Sequence, residues 1–141
     1  MQFHTITFNL STSKPIEIIN LTKQACEFAE KSGLKNGLLT VSTQHTTMAV
    51  KINENCENLL QDIESFLGKL APANQDYLHN LYTKDGRPNA HSHLLSLLLS
   101  SQETIPLIDG KLSLGKWQSI FSIELDGPRP ERKINFALMG E

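Results

Sequence analysis

Residues 104–138, TIPLIDGKLSLGKWQSIFSIELDGPRPERKINFAL, decide the fold. Four segments in this stretch, 104–108, 111–114, 118–125 and 133–138, are rich in Ile, Leu and Phe, and turn formers separate them, most clearly Asp109-Gly110 and Asp126-Gly127-Pro128. Connections this short join antiparallel neighbours, because a parallel pair needs a crossover of a dozen or more residues. The stretch therefore predicts a run of antiparallel strands.

Upstream, residues 2–10 alternate and place Ile6, Phe8 and Leu10 on one face, as a strand with one buried side would. Leu21, Ala25 and Phe28 then recur at helical spacing; Asn20 can cap the start of that helix and Gly33 can end it in the left-handed conformation. Residues 37–43 and 46–52 are rich in Thr, Val, Leu and Ile and predict two strands, or one bent strand, with His45 at the junction. Leu59, Ile63, Phe66, Leu67 and Leu70 define a second amphipathic helix ending near Pro72. Residues 73–89 are polar and carry turn signals, so they predict an ordered loop or lid. Residues 94–99 are nearly all leucine and lack β-branched side chains, which suits a short buried helix. Strand, helix, strands, helices and then strands describe an α+β protein with a mainly antiparallel β-sandwich and flanking helices. Alternating βαβ units are missing, and 141 residues suit a single domain over 1–141.

Composition narrows the function. Thirteen basic residues against fifteen acidic ones give a formal charge of -2, and no basic run exists to track phosphates, so nucleic acid is a poor partner. Neither a leader-like N-terminus nor a bilayer-length apolar stretch is present, from which we expect a cytoplasmic protein without a membrane partner. Cys26 and Cys56 are not in a close-pair metal or redox motif and are expected to be reduced and buried.

His45, His79 and His93 each sit beside polar or turn-forming neighbours near element ends. Three neutral imidazoles can hold a divalent metal with an open position, although scattered His are more often surface or hydrogen-bonded residues. His91 and His93 would point about 200° apart on a helix, so only one easily faces a site. Thr46 and Thr47, and Asn53 with Glu54, lie at strand margins, where pockets are often built. Their simpler readings are β-propensity for the threonines and capping of the next helix for residues 53–55. Glu54 is the better candidate for acid-base work, since Asp62 falls on the solvated side of its helix. Trp117 and Gln118 place the only Trp beside an amide. Arg129, Arg132 and Lys133 could bind a phosphorylated substrate or form ordinary surface ion pairs.

Read together, Gln44-His45-Thr46-Thr47, Ile52-Asn53-Glu54-Asn55-Cys56, Asp62, Tyr77-Leu78-His79, Asn89-Ala90-His91-Ser92-His93, Leu114-Gly115-Lys116-Trp117-Gln118, Asp126-Gly127-Pro128-Arg129 and Gly140 resemble the signature of the YjbQ-like family. The resemblance covers essentially the whole chain. It implies a β-sandwich assembled as a homotrimer and a metal site at His45, His79 and His93, with zinc expected and magnesium the alternative for a diphosphate substrate. It also implies a weak thiamine-phosphate synthase reaction, which joins a pyrimidine methyl diphosphate to a thiazole phosphate. On this reading His45 and Glu54 are the catalytic candidates, and Thr46, Asn53, Asn89, Trp117, Gln118 and Arg129 bind a small phosphorylated molecule. The chain departs from the family pattern at Ser100, at Lys116 and at Pro130-Glu131. The rival expectation is a non-catalytic trimer that captures a metabolite or metal in the same pocket.

Overall fold

The computed structural model describes residues 1–141. In chain order the elements are β1 (Gln2–Thr12), β2 (Glu17–Asn20), α1 (Thr22–Ser32), β3 (Gly37–Thr43), β4 (Met48–Glu54), α2 (Glu57–Leu70), a 3-10 turn (Leu78–Leu81), α3 (Ala90–Leu99), β5 (Gln102–Ile108), β6 (Lys111–Leu112), β7 (Gln118–Glu124) and β8 (Arg129–Gly140). They form a five-stranded sheet ordered β1-β8-β3-β5-β6 and a three-stranded sheet ordered β2-β7-β4. Every strand pair is antiparallel, as the short turns require. No helix is long and apolar enough to cross a membrane.

The larger core joins the two sheets. Leu39, Val41, Ile105, Leu107, Ile134, Phe136 and Leu138 from the five-stranded sheet pack with Met48, Val50 and Ile120 from the other, and Leu21, Ala25 and Ala29 of α1 complete the cluster. A smaller core lies on the opposite face of the three-stranded sheet, where Ala49 and Ile123 meet Leu67 and Ala71 beside α2 and Leu95 of α3. β7 is thus buried on both faces, and from Ile120 to Glu124 none of its residues reaches solvent. Residues 118–125 do not read as a continuous apolar run, because Ser119, Ser122 and Glu124 interrupt it although the strand is covered on both faces.

Helix α1 ends where expected, at Gly33 with φ of 73°, a conformation that an L side chain rarely takes. Asn20 Oδ1 accepts the backbone N–H of Thr22 at 2.9 Å, satisfying a donor of the first turn. Gly140 is required for a different reason: it pairs with both Gln2 and Gly37, and a Cβ there would collide with the carbonyl of Asn36.

Six local expectations need correction. β2 was not foreseen, because its four residues Glu17–Asn20 give too short a pattern to read. The strand expected over 111–114 has only two residues. The last strand begins at Arg129, four residues before the apolar signal, because Arg132 points inward and is neutralised there. Ile6 is exposed, while Phe8 and Leu10 pack on the core. In α3 only Ala90, Ser92 and Leu95 are buried, so Leu94, Leu97 and Leu98 form an exposed apolar face rather than a buried helix. Residues 53–55 also do not cap α2; its N-cap is Cys56, with no side-chain capping bond.

Candidate functional site

The β3–β4 connection, the start of α3 and the turn between β7 and β8 meet at one end of the sandwich, called here the upper pole. Two buried carboxylates organise it. Glu124 is completely buried and points between the sheets, where Arg132 of β8 reaches it with Nη2 at 2.6 Å and Nε at 2.8 Å. Thr12 donates to the same carboxylate at 2.8 Å, and Arg132 also donates to Thr47 Oγ1 at 2.8 Å. Burial alone would raise the Glu124 pKa; the bond from Arg132, then those from the Asp126 amide and Thr12, bring it below the usual carboxylate value.

Asp126 is the second hub. Arg87 binds it through Nε at 3.2 Å and Nη2 at 3.0 Å, Arg129 through Nη2 at 2.6 Å, and Asn89 through Nδ2 at 2.8 Å. Burial again acts upward, but the hydrogen bonds from Arg87, Asn89 and Arg129 outweigh it and hold the carboxyl at about 2. A depressed acid stabilises the fold above its unfolded pKa and ceases to do so as pH falls through the folded value. The Asp126 contribution, roughly 2 kcal/mol, should therefore be intact at pH 5 and fade between about pH 4 and pH 2. Urea titrations across that range should show a shallower acid slope for Asp126→Asn than for the wild type; identical slopes would contradict the assignment.

The histidines stand around this network. With Asn89 Nδ2 committed to Asp126, Asn89 Oδ1 faces His79, and His79 Nε2 donates to it at 3.2 Å. His79 keeps a free lone pair on Nδ1. Its ring lies 4.9 Å, centre to centre, from that of His93, edge to face. His93 separates two concavities. One, of about 540 Å³, is lined by Gln44, His45, Thr46, His93, Leu97 and Ser101 among others; the second, of about 570 Å³, has His79, Tyr77 and Leu94 in its wall. His91 turns inward: its Nδ1 is buried without a partner, and burial lowers its pKa.

His45 is held neutral. The backbone N–H of Lys133 donates to its Nε2 at 2.9 Å, so that nitrogen must be unprotonated, and Nδ1 carries the hydrogen. Burial first, then the charges of Arg132, Arg129 and Lys133, lower its pKa, while Glu124 acts the other way. In this conformation His45 offers the cavity a donor, and its basic lone pair is already used.

The three imidazoles expected to share a metal do not meet at one point in a single chain. His93 is shared between the two concavities, His79 and His45 lie on opposite sides of it, and no group of three or more His, Cys, Asp or Glu side chains is placed to hold an ion. Zinc takes at least three protein ligands, whereas one chain offers the two free imidazoles of His79 and His93. The residues of one chain do not fit that group.

The other expected residues divide in two. Thr46, Asn89 and Arg129 belong to the upper pole, with Arg129 tied to Asp126 and Arg132 sealed against Glu124. Asn53, Glu54, Trp117 and Gln118 lie at the far end of β4 and β7, where Glu54 pairs in register with Gln118 and Asn53 with Ser119. At 3.3 Å per residue the length of β4 separates the two groups by roughly 20 Å. Sequence reasoning missed Glu124 and Arg87. Ser122 and Glu124 alternate with Phe121, Ile123 and Leu125 like the wet face of a strand, and that pattern misleads where both faces are covered.

The fold and site define a class: an α+β sandwich whose chemistry-bearing loops gather around a histidine-lined concavity at one end of its sheets. Within that class, the chain belongs to the family described as UPF0047 protein YjbQ-like, which it matches over residues 6–141. It is 43% identical over 141 residues to a UPF0047 protein of Methanothermobacter thermautotrophicus, covering 100% of this chain and 95% of that one. A UPF0047 protein of Archaeoglobus fulgidus is 42% identical over 129 residues, 92% of this chain and 97% of the relative. Among solved structures, a YbjQ-like protein of unknown function from Sulfolobus solfataricus superposes with a TM-score of 0.94 at 35% identity, covering 99% of both chains. A hypothetical protein from Aeropyrum pernix gives 0.91 at 37% identity, over 98% of this chain and 99% of that one.

Proposed function

We propose that the concavity between His45 and His93 binds a small phosphorylated metabolite. The observation that carries this reading is a local excess of positive charge: Arg87, Arg129 and Arg132 are held by only two carboxylates, Asp126 and Glu124, in a chain whose formal charge is -2. His45 Nδ1–H, Gln44, Thr46 and Ser101 add uncharged donors along the same wall. An anion entering there meets fixed uncharged donors, and the charges of Arg129, Arg132 and Lys133, which are felt at His45, add an attractive field from behind the wall.

Turnover is the finer reading. Transfer between two phosphorylated reactants with loss of pyrophosphate, the secondary thiamine-phosphate synthase reaction implied by the resemblance, would use such a surface to hold the leaving group. A specific observation favours the rival, a non-catalytic binding protein: within one chain no carboxylate lines this cavity, and the lone pair of His45 is engaged. The catalytic reading and capture of a phosphorylated metabolite both require anion binding.

Calorimetric titration of the protein with pyrophosphate tests that shared requirement. Binding is expected to weaken, by up to about tenfold, in Arg129→Ala, which removes a charge felt at His45. Wild-type protein that takes up no pyrophosphate or other phosphorylated ligand would end the proposal.

A further inference from the structure

We propose that the space between α2 and the three-stranded sheet is a second ligand site, one that takes an uncharged aromatic ring bearing a single hydrogen-bond acceptor. It shares no lining residue with the His45–His93 concavity and is independent of the anion reading.

Helix α2 is amphipathic, yet of its fourteen residues only Leu67 is buried, and its N-terminus has no side-chain cap. It rides above the sheet instead of sealing it. The gap is a cavity of about 200 Å³, floored by Ile18, Phe121 and Ile123 of the sheet, roofed by Leu60 and Ile63 of α2, and bounded on one side by Leu99 of α3. Phe121 marks the break in the packing: it is 1% exposed, but it belongs to neither core. Close-packed interiors leave few voids larger than a water molecule, and water gains no partners in one lined by aliphatic and aromatic side chains. An apolar cavity of roughly 150 Å³ binds benzene, so this one has room for a ring and a short substituent.

The chemistry of the wall selects the occupant. Two rings line the space, Phe121 at its floor and Phe66 at its mouth, where Phe66 is 60% exposed and a bound ring would cover it. The only polar side chains in the wall are Lys51 and Asn53. Lys51 stands opposite Phe121 in the β4–β7 register, and its Nζ is paired with Glu103 at 2.7 Å and bonded to Ser100 Oγ at 3.3 Å. Its charge is thereby neutralised, and a third N–H is left to donate. Asn53 Oδ1 accepts the N–H of Glu54 at 2.8 Å, which leaves its amide hydrogens to donate as well. Donors without net charge suit a hydroxyl or carbonyl oxygen and disfavour an ion, which would shed water without gaining a counter-charge.

Benzyl alcohol is the probe, titrated into the whole protein labelled at its Ile and Leu methyl groups and followed by NMR. Saturable shifts are expected at Ile18, Ile63, Ile123 and Leu99. Leu60→Trp fills the cavity from a half-buried position outside both cores and is expected to weaken binding about tenfold or more while the folded spectrum persists. Ile63→Phe, one turn further along, repeats this arm if the tryptophan variant does not fold. Lys51→Met is expected to cost about tenfold against benzyl alcohol and little against toluene, which has no acceptor. No saturable shift, shifts that survive filling of the cavity, or magnetisation transfer to these methyls from a differently labelled second copy would overturn the site. Benzoate binding more tightly than benzyl alcohol, or equal losses for both probes in Lys51→Met, would overturn the ligand class assigned to it.

Discussion

Replacing Arg132 with alanine is expected to lower the free energy of unfolding by about 3–5 kcal/mol, the largest effect of any single change at the upper pole. The truncation leaves Glu124 as an unpaired charge where no solvent reaches it, and it also removes a donor from Thr47. Most of the loss comes from stranding the carboxylate. A double variant, Glu124→Gln with Arg132→Met, should accordingly recover much of the stability, since it strands no charge and the amide oxygen still accepts from the backbone N–H groups of Leu125 and Asp126. Urea denaturation of the single and double variants checks this. Equal losses in both would mean that the pair itself, and not the stranded charge, carries the energy.

Phe136→Ala should cost a similar amount, about 3–5 kcal/mol, by a different mechanism. Phe136 is fully buried on β8, and its ring lies 4.8 Å from that of Phe8 on β1 and 5.9 Å from that of Phe28 on α1. Removing it opens a cavity at the point where two strands and a helix meet, and the neighbouring rings cannot collapse into it without moving all three elements. Phe136→Leu, which keeps much of the volume, should lose less than half as much in the same denaturation experiment. A loss below about 1 kcal/mol for the alanine variant would show that the site repacks.

The fold was legible where local pattern and tertiary environment agree. Asp109-Gly110 and the turn at Asp126-Gly127-Pro128 mark strand ends, and Gly33 stops α1, because each is a local conformational requirement that only a few residue types meet. Where packing overrides pattern, the reading failed. The leucines of α3 look like core in the sequence, yet three of them face outward, since periodicity does not say whether a second chain covers a face. At the candidate site, the residues were recognisable by type but not by position. Nothing in the spacing of residues 45–54 says that one strand carries His45 and Glu54 to opposite poles; the register of β4 against β7 does. Glu124 was hidden for the complementary reason, because its partner Arg132 comes from another sheet.

Arg87 lies in the segment between α2 and α3 and grips Asp126 beyond the end of β7, while Asn80 Oδ1 accepts the amide of Ala90 at 3.0 Å and His79 holds Asn89. These few polar ties fasten a stretch, residues 73–88, that contributes no residue to either core. It should therefore open as its own foldon, with amide protons of residues 73–88 exchanging through a local fluctuation while those of doubly covered β7 await global unfolding. Hydrogen exchange is therefore expected to run on two clocks, the faster one quickening as acid protonates Asp126 and loosens the strap.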